Sequence, residues 1–226
     1  MARRSTANPL QRDSARSRER ILAAALREFS EHGLAGARVD RIARRARINK
    51  RMLYSYFGAK NELYREVMRR RFALRADQLD RATYITPEDC VTYWFRFGCS
   101  DQVWVRLMEW EALDARASRM IARSQRKRCY DRAVEQFAEF QRKRLLPSDL
   151  DPSFLLLFNM ALTTFPLAFP QLTHLVTSGS PEDSHFQARW NAFVRVMVRS
   201  LRPAEKGAIK DRGKAWRTGA QKGARV

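Results

Sequence analysis

The most constraining stretch of this chain runs from Ala37 to Tyr64, where apolar residues recur at the spacing of two short helices joined by a tight turn. The apolar positions of the first helix and then of the second are Val39, Ile42, Ala43 and Ala46, followed by Leu53 and Phe57. Asn49 precedes the second helix, and its side-chain oxygen can accept a hydrogen bond from a free backbone N–H there. The pattern predicts two short helices around a turn at residues 47–49.

Two short helices joined by three or four residues form a helix-turn-helix, whose second helix enters the major groove of DNA N-terminus first. In this chain that N-terminus carries Lys50 and Arg51, which are residue types that hydrogen-bond guanine edges or phosphates. The same spacing also fits a helical hairpin with a solvated basic face. The residues alone leave both interpretations open.

The stretch resembles the DNA-binding domain of the tetracycline-repressor (TetR) family, whose pattern is roughly T-T-V-x-x-I-A-x-x-A-G-V-S-x-x-x-L-Y-x-H-F-x-x-K-x-x-L. The resemblance covers about residues 16–72, and it is specific because the matches keep fixed offsets. The matching residues are Val39, Ile42, Ala43, Ala46, Leu53, Tyr54, Phe57, Lys60 and Leu63. The family implies an all-α protein, with an N-terminal three-helix DNA-binding domain and a larger helical domain for dimerisation and ligand binding.

Three positions depart from the family pattern. Ala37-Arg38 replaces the Thr or Ser that usually opens the first helix of the pair, so that helix lacks a standard side-chain cap. Arg47 replaces the turn glycine, and a left-handed residue there would carry some strain. Tyr56 replaces the common His, although a phenol can also donate to a phosphate. These departures bear on the choice of operator and not on the fold.

By this resemblance, the surface that recognises DNA centres on the second helix of the pair. The residues expected to face bases are Lys50, Arg51 and Met52, with Asn49 at the start of the helix. The residues expected to hold phosphates are Arg38, Tyr54, Tyr56 and Lys60. Two such helices in a homodimer would suit double-stranded DNA with a near-palindromic operator, whose half-sites lie about one DNA turn apart.

The charge of the chain also favours a polyanionic partner. The net charge is +20 and the isoelectric point is about 11.0, which points to nucleic acid before membrane. Residues 1–60 carry 15 Lys and Arg against 5 Asp and Glu, and residues 202–226 carry 8 against 2, whereas the middle is close to balance. Genomic composition explains a preference for Arg over Lys, but it does not explain this asymmetry.

Several classes of protein are disfavoured by what the sequence lacks. Cys90, Cys99 and Cys129 have no paired spacing, which favours a reducing cytoplasm over a disulfide framework or a zinc site. The three histidines stand far apart, without a Gly-rich phosphate loop or a nucleophile motif. We therefore expect no enzyme, cofactor or metal. No apolar run precedes Ile21, so we expect no signal peptide. We expect a cytoplasmic protein that is associated with the nucleoid through DNA.

The chain divides into four predicted segments. Residues 1–15 are interpreted as a disordered basic arm, 16–80 as the DNA-binding domain with a linking helix, 81–202 as the effector-binding and dimerisation domain, and 203–226 as a flexible basic tail. A frayed terminus and an extension without a role are the competing interpretations of the two ends. In the second segment, Gly33 stands where the end of the first helix needs a left-handed residue.

A long segment from Phe154 to Pro181 contains no Asp, Glu, Lys or Arg. Its length also fits a transmembrane helix, but polar residues and prolines interrupt it. We favour a helix buried on two sides, against its own domain and a second subunit, and expect no membrane partner. The resemblance implies a four-helix dimer interface here, made by residues 154–165 and 185–201. Its predicted residues are Phe154, Phe158, Leu162, Phe186, Trp190, Phe193, Met197 and Leu201.

The resemblance also implies a cavity for a small apolar effector in the second domain. Its predicted lining is Trp94, Phe97, Trp104, Met108, Trp110, Tyr130, Asn159, Met160, Thr163, Phe165 and Phe169. Packing in the core is the competing interpretation for each of these residues. The resulting hypothesis is a sequence-specific repressor that the effector releases from its operator. The alternative is an architectural DNA-binding protein of the same fold that responds to no effector.

Overall fold

The computed structural model describes residues 9–113 and 120–203, with the backbone alone at residues 9–12, and every regular element in these ranges is an α-helix. In chain order the helices are α1 (Pro9–Gly36), α2 (Val39–Ala46), α3 (Lys50–Phe57), α4 (Lys60–Arg81), α5 (Pro87–Ser100), α6 (Gln102–Leu113), α7 (Arg123–Arg142), α8 (Pro152–Ala168), α9 (Pro170–Thr177) and α10 (Ser184–Ser200). The predicted all-α class is confirmed.

Helix α1 is longer than the sequence indicated. It begins at Pro9 and not at about Arg16, so the prediction of a disordered arm is wrong for residues 9–15. Residues 1–8 of that predicted arm, and residues 204–226 of the predicted tail, lie outside the described residues. Near its other end, α1 is broken at Gly33, whose φ of 62° and ψ of −178° are not helical. Gly33 therefore has the predicted positive φ, but its ψ lies outside the left-handed helical region, and α1 kinks there and continues to Gly36.

The largest core cluster crosses the predicted domain boundary at residue 80. It contains the inner faces of α1 to α4, and it also contains Trp104 and Leu107 from α6. The ring of Trp104 meets Phe72 of α4 edge to face, with 4.7 Å between the ring centroids. Hydrophobic packing is therefore continuous across the predicted boundary and joins α6 to the N-terminal helices.

Helix α5 occupies the centre of the remaining helices. One side of it contributes Cys90 to a cluster with Phe137, Phe140 and Leu155 from α7 and α8. Another side contributes Val91 to a cluster with residues of α10. Helices α8 and α10 are thereby held side by side on α5, which leaves their other faces outward.

The uncharged segment predicted from the sequence forms two helices instead of one. Phe169 separates α8 from α9 and has an extended φ of −123°, as expected for a residue that precedes proline. The two helices are bent by 88° at this break. Among the described residues, no single helix has both the length and the apolar character to cross a membrane, although this bent pair passes the same test by length and composition.

Candidate nucleic-acid interface

The corner between α2 and α3 is built as the sequence predicted. Arg47 adopts the left-handed conformation, with φ 55° and ψ 50°, at the place where the family usually has glycine. The backbone N–H of Ile48 donates to the carbonyl of Ala43 at 3.0 Å, which closes the end of α2. Residues 47–49 therefore turn the chain sharply enough to set α3 across α2.

Asn49 caps the recognition helix α3. Its side-chain Oδ1 accepts a hydrogen bond from the backbone N–H of Met52 at 2.8 Å. This confirms the predicted cap, which satisfies one of the free N–H groups at the start of the helix. The carboxamide oxygen of Asn49 is thus committed to the helix end, and only its Nδ2 remains to reach DNA.

The N-terminal half of α3 is exposed and cationic. Leu53 and Phe57 face the core, whereas Met52 and Tyr54 are 38% and 49% exposed. Arg51 is exposed and has no hydrogen-bond or ion-pair partner among the described residues. Its guanidinium is therefore free to bind a base edge or a phosphate.

Lys50 differs from Arg51, because its ammonium group already pairs with the carboxylate of Asp40 on α2. Both side chains are more than half exposed, so water screens this pair and it contributes little to stability. Lys50 can exchange Asp40 for a DNA acceptor at low cost. The carboxylate of Asp40 would then lie beside the DNA and would disfavour a phosphate at that point.

A buried carboxylate fixes the start of α2, which lacks a side-chain cap as predicted. Glu28 of α1 is fully buried, and its Oε1 accepts from the backbone N–H of Arg38 at 2.9 Å and from Nε of Arg41 at 2.7 Å. Arg38 itself provides only its backbone, so its side chain remains exposed and available to a phosphate. Glu28 therefore does for α2 what Asn49 does for α3, but from another helix.

Burial alone raises the pKa of the Glu28 carboxyl, but the hydrogen bonds from Arg38 and Arg41 outweigh it and hold the pKa below its ordinary value of 4.5. Replacing Glu28 by alanine is expected to lower the free energy of unfolding by about 1–3 kcal/mol, because the buried N–H of the α2 start loses its acceptor. Urea unfolding at pH 7 measures this loss.

The matched control for Glu28→Ala is Glu31→Ala. Glu31 lies on the same helix and pairs with Arg45 at 3.1 Å, but both groups are well exposed, so its removal is expected to cost at most about 1 kcal/mol. Because the pKa of Glu28 is lowered in the fold, its contribution is present above about pH 4.5 and is lost as the pH falls. Equal losses for the two variants would contradict the role assigned to Glu28.

Two of the predicted phosphate contacts have other partners in the structure. Lys60 Nζ donates to the carbonyl of Ala37 at 3.1 Å and reaches that of Ala35 at 3.5 Å, so it ties the start of α4 to the α1–α2 connection. Tyr56 is partly buried against the N-terminal core, with its ring 6.4 Å from that of Phe57. Lys60 therefore helps to hold the domain together in the free protein, and its contact with a phosphate stays a prediction.

Sequence reasoning did not select two exposed cations near the corner. Arg44 and Arg47 have no ion-pair partner among the described residues, whereas their neighbours Arg41 and Arg45 are paired with Glu28 and Glu31. The arginine run from Arg41 to Arg47 was visible in the sequence. The carboxylates that neutralise some of these arginines lie on α1, so the local sequence does not show which arginines stay unpaired.

Of the predicted effector-binding residues, the structure brings Trp94, Phe97 and Trp104 together around Arg75, and it places others apart from them. Trp104 of α6 is part of the N-terminal core, and Met108 packs against that core. Trp110, also of α6, contacts α1, because its Nε1 donates to the carbonyl of Ser30 at 3.1 Å. On α8, Asn159 and Thr163 are buried and bonded to each other, since Thr163 Oγ1 donates to the carbonyl of Asn159 at 2.9 Å. These five residues lie in the core or against α1, and the predicted lining as a whole stays a prediction.

The rest of that set is divided between the protein surface and an aromatic cluster. The exposed members are Met160 and Phe165 of α8, together with Phe169, which follows the last residue of α8. Trp94 and Phe97 of α5 remain neighbours, with ring centroids 5.8 Å apart.

The predicted dimer residues also separate into two groups. The exposed members, at 69%, 39%, 49% and 40%, are Phe154, Phe158, Phe193 and Met197. The prediction that Phe186 lies in the dimer interface is corrected, because Phe186 is buried in its own chain and stacks on Trp190. Trp190 joins the two helices by donating its Nε1 to the carbonyl of Leu162 at 3.1 Å, and Leu201 packs on the cluster around Phe140.

Helix α3 is capped by Asn49, exposes the unpaired Arg51 near its N-terminus, and lies beside the short helix α2. This arrangement, joined to a larger helical domain, defines a helix-turn-helix transcriptional regulator. The chain belongs to the TetR family. Residues 21–67 match the model of bacterial regulatory proteins of the tetR family, and residues 89–200 match the model of the tetracyclin repressor-like C-terminal domain. The family consists of DNA-binding regulators and not enzymes, which confirms the prediction that the chain is no enzyme.

Individual relatives agree with this assignment. The chain is 28% identical over 171 residues to the HTH-type transcriptional repressor SCO4008 of Streptomyces coelicolor, covering 74% of this chain and 87% of that protein. It is 41% identical over 58 residues to the repressor NicS of Pseudomonas putida, covering 26% of this chain and 27% of NicS. The crystal structure of the transcriptional regulator SCO4942 of Streptomyces coelicolor superposes with a TM-score of 0.68 at 25% identity, covering 83% of this chain and 99% of that one.

Proposed function

We propose that this regulator is a homodimeric repressor that binds a near-palindromic operator and leaves it when a small, largely apolar effector binds the C-terminal helical domain. The observation that supports the operator contact is the exposed, unpaired end of α3, where Arg51 and Met52 project beside the capped turn. Two such helices in a symmetric dimer would enter successive major grooves about 34 Å apart. The protein would thus act on nucleoid DNA in the cytoplasm.

The path from effector to operator would run through α4 and α6. Helix α4 starts at Lys60, which is bonded to the α1–α2 connection, and it carries Phe72 against Trp104 of α6. A shift of α6 relative to α4 therefore changes the angle at which α3 is presented. The coupling free energy between the two sites is expected to be about 1–3 kcal/mol, which corresponds to a change in affinity of roughly 5- to 150-fold.

Selection of bound sequences from a random DNA pool tests the operator contact. The purified protein is expected to enrich a near-palindromic site and to bind it at least about 10³-fold more tightly than scrambled DNA. Screening small molecules for release of that site then tests the effector. Enrichment of a site that no effector releases would favour an effector-independent architectural protein, and no enrichment at all would contradict the proposal.

Arg51 is expected to read a base. Replacing it by alanine should relax the preference at one position of each half-site and cost about 1–3 kcal/mol on the preferred base, because a bidentate contact to guanine is lost. Binding measured on a set of operators with that position varied gives the change. The matched control is Arg44→Ala, which removes an exposed cation on α2 and should weaken all sequences about equally. A uniform loss for Arg51→Ala would make Arg51 a phosphate contact.

A further inference from the structure

Arg75 of α4 lies inside an aromatic cage made by two other helices. Its guanidinium carbon is 4.8 Å from the ring centroid of Trp94, 4.5 Å from that of Phe97 and 5.1 Å from that of Trp104. Rings at these distances attract the cation and fix the plane of the guanidinium. They do not supply hydrogen-bond acceptors, which a buried guanidinium requires.

The Arg75 side chain has no hydrogen-bond partner among the described residues. Its Nη1 is buried without an acceptor, and the buried Oε1 of Gln78, one turn further along α4, also has no partner there. An unsatisfied buried donor such as Nη1 is rare and costly in a folded protein, so an acceptor is expected to complete its hydrogen bonding, whereas Gln78 Oε1 is itself an acceptor and needs a donor.

The ionic groups around the cage leave one positive charge uncompensated. Arg71 forms an ion pair with Asp101, and Arg126 forms a bidentate pair with Glu111 at 2.6 and 2.7 Å. Arg75 is the third cation, and neither carboxylate is bonded to it. Burial lowers the pKa of the Arg75 guanidinium to about 10, with Asp101 opposing the shift from a distance. At neutral pH the group is still charged, and no carboxylate in the part of the chain that the structure describes is paired with it.

A surface groove adjoins this cage. It has a volume of about 550 Å³, and its lining includes Tyr84, Tyr93, Phe97 and Arg96. Phe97 is common to the groove and to the cage, because its ring also lies against Arg75. The groove is open to solvent; its aromatic walls suit a flat or apolar group, and the pair Asp89–Arg195 also lies in its lining.

We propose that the effector of this regulator is a small organic anion, whose acidic group binds Arg75 while its apolar part lies in the groove against Tyr93 and Phe97. This inference rests on the proposed function and narrows the effector from an apolar molecule to an apolar carboxylate or similar anion. Arg75 is 15 residues after Lys60 on the same helix, or about 22 Å at 1.5 Å per residue. An anion at Arg75 therefore acts on the helix that carries the DNA-binding domain.

Matched ligands that differ only in charge test this inference on the full-length protein. The probes are 2-naphthoate, 2-naphthamide and 2-naphthylmethylammonium, with decanoate and decanamide for a flexible apolar group, and binding is measured by titration calorimetry. At least one carboxylate is expected to bind tenfold or more tightly than its amide, and the ammonium probe is expected to bind most weakly. No preference for either carboxylate over its amide would overturn the inference.

Variants of Arg75 then locate the anion. Arg75→Gln should abolish the preference for the carboxylate, whereas Arg75→Lys keeps a cation and should retain most of it, which a general loss of folding would not produce. Arg81→Gln, an exposed position at the end of the same helix, is the control and should bind as the unaltered chain does. A carboxylate preference that survives Arg75→Gln would overturn the assignment to Arg75.

Operator release is measured separately, so that the two proposals fail in different ways. Carboxylate binding at Arg75 without release of DNA would leave the anion site standing and contradict the proposed effector response. Release of DNA by a cationic or neutral ligand, unaffected by Arg75→Gln, would keep the proposed function and overturn the anion site.

Discussion

Replacing Gly33 by alanine is expected to lower the free energy of unfolding by about 2–6 kcal/mol. Two costs add up, because a strained backbone conformation and an overpacked side-chain contact each cost about 1–3 kcal/mol. The φ of 62° and ψ of −178° at Gly33 lie in a region that residues with a Cβ hardly occupy. An added Cβ would also lie 2.7 and 2.8 Å from two ring atoms of Trp110. Trp110 is 39% exposed, but its Nε1 is bonded to the carbonyl of Ser30, so moving the ring aside strains or breaks that hydrogen bond.

Two other glycines separate the effect of strain from that of the clash. Gly58 has a φ of 67°, but nothing lies within 4 Å of the position that a Cβ would take, so Gly58→Ala measures strain alone at about 1–3 kcal/mol. Gly36→Ala meets only the Cβ of His32, at 3.4 Å, and is expected to be nearly neutral. Urea unfolding should rank Gly33→Ala first, Gly58→Ala second and Gly36→Ala last. A different order would contradict the packing assigned to Gly33.

The clash has a consequence for DNA binding as well as for stability. Trp110 adds a hydrogen bond to the packing of α6 on α1, so a displaced indole is expected to alter how α6 holds the DNA-binding helices. Truncating the ring by Trp110→Leu in the Gly33→Ala background should restore part of the lost stability. Such non-additivity is the expected sign of two residues in direct contact.

The helices of the DNA-binding corner could be predicted because their determinants are local. The spacing of Ile42, Ala46, Leu53 and Phe57 fixes the inner faces, and Asn49 lies three residues before the N–H that it caps. These signals depend on neighbours within one or two turns, so no knowledge of the rest of the chain is needed. The matching family pattern then gave the larger architecture.

The functional details that could not be predicted depend on residues far apart in the chain. Lys60 was assigned to a phosphate, but its nearest acceptor is the carbonyl of Ala37, 23 residues earlier. Trp110 is predicted to line a cavity, but its Nε1 donates to the carbonyl of Ser30, which lies 80 residues earlier in the chain. Helical periodicity shows that a residue faces inward, and it does not show which element it meets. For the same reason, the sequence does not single out Arg75, whose environment is made by aromatic rings of α5 and α6.

The second large effect is expected at the outward faces of α8 and α10. These faces expose Phe154, Phe158, Phe193 and Met197 on a single chain, and the neighbouring Val196 is 65% exposed. Apolar patches rimmed by polar residues usually mark protein interfaces. Phe193→Glu would place a charge in the proposed four-helix interface, where it would be buried without a partner. We expect a monomer in analytical ultracentrifugation.

A monomer engages one half-site at a time and loses the gain from two linked contacts. Operator affinity is therefore expected to fall by about 10²-fold or more, within the range of roughly 10²–10⁴ typical of bivalent binding. Ala188→Glu adds the same charge to an exposed position on the same helix, roughly 140° around its axis from Phe193, and should remain dimeric with unchanged affinity. A dimeric Phe193→Glu protein with normal operator binding would show that the subunits meet through another surface.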